Sequence, residues 1–289
     1  MLLVGRGAYE EMPLVLAGWM GKGRNRSVLI ICSSLVLSLI LFSACSRPRT
    51  SSGVVVFAAG GARPAIDELC QGFGGKYSLT AETIYGGGGE VLSKMILAKS
   101  GDIYVAPEQR FMETAIAKQA VDPTTIQTVA YMVPVIAVKK GNPKGISAPA
   151  DLAKEDVRVA ITRPETTLLG RYAPEIFRRA GLEEAIMPHV VTYASDPNNL
   201  LTMLMLGQVD AGITWHFYGT MASDKIQTIF IDPSQLTGIG KMQIAVSAYS
   251  SDAQRVRQFV DFARSAEGKA IFKRCGYIVD TEEVKRYWH

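Results

Sequence analysis

The run Tyr85-Gly86-Gly87-Gly88-Gly89-Glu90 sets four glycines between a strand-like stretch, 79–85, and a helix-like stretch, 90–99. Glycine has no Cβ, so a ligand can approach its backbone, and positive φ is open to it. The first N–H groups of a helix lack intrahelical acceptors. A turn of this kind is therefore a nest for an anion. A second one stands upstream, where strand 54–58 runs into Gly60-Gly61 and a helix with Pro64 near its start. Two such turns predict one small ligand held between helix N-termini. A single Gly-rich turn carries less weight, because most are only tight turns. Nucleotide motifs do not fit. GGGGEVL lacks the third glycine of G-x-G-x-x-G, and Gly72–Tyr77 puts Tyr where a phosphate loop needs Ser or Thr after Lys.

Other reactive residue types form no constellation. His189, His216 and His289 are far apart, and no Cys/His cluster has zinc spacing. No nucleophile stands at a base's spacing, so catalysis is not expected. No metal and no cofactor is expected either. Met203 and Met205 read as packing, and Glu90, Glu108 and Glu165 as solvated or capping charges near helix starts. Tyr85, Tyr193 and Tyr218 fall near expected cleft edges, and with carboxylates they would serve a ferric-iron site. Cys70 and Cys275 are an even pair, either a disulfide or two small buried hydrophobes.

The leader is the strongest signal. Lys22, Arg24 and Arg26 precede an apolar run, 28–42, which ends in Ser43-Ala44-Cys45. That describes a secretory signal over residues 1–44, rather short for a permanent span. Met20 would itself start a well-formed signal, so residues 1–19 look superfluous. Leu41-Phe42-Ser43-Ala44-Cys45 resembles a bacterial lipobox, which implies cleavage before Cys45 and lipidation of its thiol. Residues 45–53 hold polar residues, Pro and Gly and read as a flexible tether. The net charge of +4 includes +2 from residues 1–44. The remainder is too weak and dispersed for nucleic acid.

The elements that must position the turns alternate from Val54 onward. Ile66, Leu69, Cys70 and Phe73 recur at helical spacing. Strands 54–58, 79–85 and 102–106 alternate with helices, an α/β pattern. A break near 133–143 and a return near 238–248 predict two lobes joined by two crossings. Lobe one takes 54–133 plus 245–289, and lobe two takes 134–244. Asp196-Pro197 reads as N-cap and first position of a helix at 198–206. Thr166-Thr167 opens another. A cleft between lobes is a favoured ligand site.

Val54–Ala59 with Pro64–Leu69, Gly101–Glu108, Asp151-Leu152, Gly207–Ile213 and Ile271–Tyr277 together resemble the molybdate- and tungstate-binding proteins of ABC importers. The resemblance spans residues 54–278. It implies the type II periplasmic binding fold: two α/β lobes with central mixed sheets and two crossover segments. It also implies a monomeric, extracytoplasmic receptor for a small oxyanion, served by a permease and a separate ATPase subunit; the lipobox at Cys45 would anchor it to the membrane. The family's two serines fall on Gly61 and Gly88, one backbone amide on Leu169, another on Pro197, which has no N–H, and its tyrosine on Trp215. Backbone amides of Gly61, Ala62, Gly87, Gly88 and Gly89 are expected to take over, facing Thr166, Thr167 and Asn198, with Arg63 adding charge. A different ligand, ferric iron or a small organic solute, is the alternative, with a surface sensor or enzyme behind it.

Overall fold

The computed structural model describes residues 53–288. The expected signal, the Met20 start, Cys45 and nearly all of the tether lie outside the described residues. Gly53, expected to end the tether, instead begins the first strand, where it pairs with Thr80.

Two five-stranded mixed sheets form the two lobes. The first runs β2-β1-β3-β10-β4, with β1 Gly53–Ala59, β2 Thr80–Gly86, β3 Ile103–Ala106, β4 Gln127–Met132 and β10 Gly240–Val246. Here β2, β1 and β3 are parallel, and β10 is antiparallel to both of its neighbours. The second runs β7-β6-β8-β5-β9, with β5 Pro134–Lys139, β6 Val159–Thr162, β7 Val190–Ala194, β8 Ala211–Trp215 and β9 Ile226–Phe230. The chain crosses at Val133, between β4 and β5, and returns before Gly240. Residues 240–244, expected in lobe two, therefore belong to lobe one. Gly240 pairs with Met132 there, and a Cβ on it would meet Met132 Cε at 2.8 Å and Trp215 Cη2 at 2.9 Å.

Seven helices of nine or more residues cover the described sheets: α1 Arg63–Tyr77, α2 Gly88–Ala98, α3 Gln109–Ala117, α4 Leu168–Arg179, α5 Pro197–Met205, α6 Ala253–Arg264 and α7 Ala266–Arg274. Helical spacing puts Ile66, Leu69, Cys70 and Phe73 on one buried face of α1. Phe73 packs edge-on against Phe259 of α6, centroids 5.0 Å apart. Each such aliphatic or aromatic side chain contributes about 1.5–3 kcal/mol on burial. The C-terminal helices thus close one face of the first sheet, while Leu92, Met95 and Met112 from α2 and α3 pack on the other with Phe57 and Tyr104. Among the described residues no helix is long and apolar enough to cross a membrane.

Candidate functional site

The first sheet aims the C-terminal ends of β1 and β2 at lobe two, and each strand runs directly into a helix N-terminus. After β1, residues Gly60–Ala62 form one 3-10 turn that leads into α1. After β2, Gly87 is the N-cap of α2, so Gly88 and Gly89 are helical rather than loop. None of these turn glycines has positive φ. What requires glycine at 88 is space: a Cβ there would stand 2.6 Å from the Phe111 ring and 3.1 Å from Pro107. The Gly87 N–H is already taken, donating to Glu90 Oε2 at 3.0 Å. The amides of Gly61, Ala62, Gly88 and Gly89 open their helices and have no intrahelical acceptor.

Lobe two presents two more helix starts. Thr167 caps α4, its hydroxyl accepting from Gly170 N at 2.9 Å and bonding Thr162 Oγ1 at 2.6 Å. Thr166 donates its hydroxyl to Ser195 O at 3.1 Å. Both threonines, expected to face a ligand with their hydroxyls, spend them on holding the loops. Asp196 caps α5 by accepting from Asn199 N at 3.0 Å. Proline at 197 then leaves the Asn198 amide as the first donor of that helix. The Tyr218 hydroxyl donates to Asn198 Oδ1 at 3.1 Å, which leaves Asn198 Nδ2 as a donor. Burial raises the Tyr218 pKa, so the phenol stays protonated.

These ends enclose a cavity of about 770 Å³. Gly61, Ala62, Gly87, Gly88, Gly89, Thr166, Thr167, Asn198 and Trp215 line it; Leu169 does not, its side chain being fully buried behind the wall. Tyr218 stands where a serine at 61 would reach, its hydroxyl 3.2 Å from the place of a Gly61 Cβ. Phe111 fills the corresponding space at Gly88. Trp215, Phe217, Met132, Met242 and Tyr277 make an aromatic and apolar wall, with Phe217 stacked on Tyr277 at 4.3 Å.

Charge is unevenly placed. Among the described residues that line the cavity, Arg110 is the one cation, against Glu90, Glu108, Glu165 and Asp196. Arg63, expected to add charge, instead lies over the Tyr85 ring at 3.9 Å. Glu108 is 5% exposed, so of the two expected roles it has the capping one and is not solvated. Its Oε2 accepts from Arg110 Nε at 3.3 Å and, across the cleft, from Leu168 N at 3.0 Å. Burial raises its pKa, and the Arg110 guanidinium and the Leu168 amide oppose that rise.

Cys70 and Cys275 are free thiols. Cys70 faces β2, its Sγ 3.4 Å from Thr83 Oγ1, while Cys275 lies 4.0 Å from Glu68 Oε2, so no bridge joins them. Tyr85 donates to Asp67 at 2.6 Å and Tyr193 is 45% exposed; neither lines the cavity. Among the described residues no group of three or more His, Cys, Asp or Glu is placed to hold a metal. Sequence reasoning did not single out Arg110, Phe111 and Tyr277 as cavity residues. The cluster Pro107-Glu108-Gln109-Arg110-Phe111 directly after a β-strand was the signal available for the first two.

The family model described as bacterial extracellular solute-binding protein matches residues 54–278. The molybdate-binding protein ModA of Escherichia coli is 22% identical over 233 residues, covering 78% of this chain and 89% of ModA. The periplasmic molybdate-binding protein of Azotobacter vinelandii superposes with a TM-score of 0.68 at 16% identity, covering 79% of this chain and 100% of that one. PEB3, a Campylobacter jejuni protein, solved with L-phospholactate bound, superposes with a TM-score of 0.69 at 19% identity, covering 78% of this chain and 99% of that one. ModA and the Azotobacter vinelandii protein carry molybdate-binding in their names, and the two-lobed mixed-sheet fold of the solved structures is the fold of this chain. The chain belongs to the bacterial extracellular solute-binding proteins.

Proposed function

We propose that this protein is a lipid-anchored, extracytoplasmic receptor of an ABC importer. It captures a small oxyanion of the molybdate or tungstate kind between its lobes and hands it to a permease whose ATPase is a separate subunit. One observation carries this reading: the starts of α1 and α2 from lobe one and of α5 from lobe two converge on a single cavity. An oxyanion accepts hydrogen bonds and donates none. It needs donors all round, since each buried oxygen left unpaired costs about 1–3 kcal/mol. The amides of Gly61, Gly88, Gly89 and Asn198, with Asn198 Nδ2, are donors of that kind, and helix dipoles favour the charge without a full countercation.

The test is a melting-temperature screen of the protein with molybdate, tungstate, sulfate and phosphate. A ligand at 100 times its Kd stabilises the folded state by about 2.7 kcal/mol. Molybdate or tungstate is expected to raise the melting temperature more than sulfate or phosphate. Absence of a shift with all four would overturn the oxyanion reading. Anchoring is checked separately: Cys45→Ser should release the protein from the membrane fraction.

The cavity favours a second reading, a small organic solute that presents an acidic group to the same amides. A water's share of liquid volume is about 30 Å³, so a cavity of about 770 Å³ exceeds what a four-oxygen anion fills. The apolar wall around Trp215 and Phe217 would contact the organic part, and the L-phospholactate bound to PEB3 is a ligand of that type. Mass spectrometry of solute retained through native purification separates the readings.

A further inference from the structure

Glu108 is carried by lobe one, immediately after β3, yet it bonds the first helical amide of α4 in lobe two, Leu168 N, at 3.0 Å. A carboxylate at a helix N-terminus is the interaction that a captured anion would make. The chain has thus filled one of the converging helix starts with an anion of its own. Glu108 is 5% exposed and lines the cavity. Arg110, the one cation among the described lining residues, is already engaged by it at 3.3 Å. Two donors on the same oxygen, one of them a guanidinium, favour the charged form against the burial of the carboxyl. Glu108 thus takes up both Arg110 and the α4 N-terminus, and Lys94 pairs with Glu90 at 2.7 Å, so among the described lining residues no free cation is left to balance a second negative charge on a ligand.

Resting on the anion-receptor reading above, we propose that Glu108 is a specificity-determining residue that selects ligands by charge. It occupies the α4 N-terminus and so disfavours a dianion relative to a monoanion of the same shape. Like charges in a partly buried site repel strongly enough to decide this: at the effective dielectric of about 20 that suits protein sites, two unit charges about 8 Å apart differ from the neutral case by more than a tenfold change in affinity.

The experiment measures the affinity of the whole protein for tungstate and for perrhenate, a tetrahedral dianion and a tetrahedral monoanion, by titration calorimetry at pH 8. It is then repeated on Glu108→Gln, which keeps an oxygen for Leu168 N–H and removes the charge. The ratio of tungstate to perrhenate affinity is expected to rise about tenfold or more in Glu108→Gln. Glu108→Ala, which also frees the Leu168 amide, is expected to move the ratio further in the same direction and serves if the glutamine variant does not fold. Both anions binding with an unchanged ratio overturns the proposal and leaves the receptor reading intact. Binding of neither anion to any of the three proteins overturns the oxyanion reading, and this proposal with it.

Discussion

Val133 and His216 are bonded to each other twice. The His216 amide donates to Val133 O at 2.9 Å, and the Val133 amide donates to His216 Nδ1 at 3.0 Å. Val133 is the residue at which the chain passes from the first sheet to the second, and the pair extends the β5–β8 ladder by one step beyond Pro134 and Trp215. Burial pushes the His216 pKa from 6.5 down to about 4. Above pH 6.5 the ring is neutral in the folded and the unfolded chain. Between 6.5 and about 4 only the unfolded chain takes up the proton, so stability falls as pH falls through that window. A shift of this size corresponds to roughly 3 kcal/mol. Melting temperatures from pH 4 to 8 should fall less steeply for His216→Gln than for the parent protein; equal slopes would refute the role.

The place of a Gly61 Cβ lies 3.2 Å from the Tyr218 hydroxyl and 3.7 Å from Asn198 Nδ2. Gly61→Ser should therefore push Tyr218 out of its bond with Asn198 and weaken ligand binding. Tyr218→Phe should weaken it too, by the roughly 1 kcal/mol of one hydrogen bond. The double variant is expected to bind better than the sum of the two losses allows, because the serine hydroxyl then has room. Additive losses in calorimetry would contradict this arrangement.

Gly88 is held to glycine by the Phe111 ring, 2.6 Å from the place of its Cβ. Gly88→Ala should overpack this contact and lower stability by about 1–3 kcal/mol. Phe111→Ala in the same chain should recover part of that loss, as read by urea denaturation. An unaltered midpoint for Gly88→Ala would show that α2 and α3 part more easily than their packing implies.

Cys70 and Cys275 are free, and burial raises the pKa of both thiols, that of Cys70 to about 11. Thiolate is the reactive form, so Cys70 should be inert in the folded protein. Thiol titration is expected to find both groups in the unfolded, unreduced protein and to miss Cys70 in the folded one. A melting temperature lowered by reductant would instead reveal a bridge.

Much of the scaffold was legible because it rests on local rules. Asp196-Pro197 and Thr167 announced the starts of α5 and α4 through capping chemistry, and both caps are present. The inward face of α1 followed from spacing alone. The start of α2 did not, because a glycine run reads as a loop until Glu90 is seen closing back on the Gly87 amide. The lobe boundary, expected after residue 244, lies five residues earlier, before Gly240, because the apolar residues Ile239 and Met242 suit either lobe and only pairing with β4 decides between them.

The sequence by itself determined where helices begin, which faces they bury, and that two glycine turns stand ready for an anion, since each of these depends on residues a few positions apart. Only the tertiary structure decided which donors remain open. Tyr218 reaches Gly61 and Glu108 reaches Leu168 across the gap between lobes, from positions 157 and 60 residues away. Hydrogen-bonding capacity is used up by whatever lies within about 3 Å, and which groups come that close is settled by how the two sheets face each other.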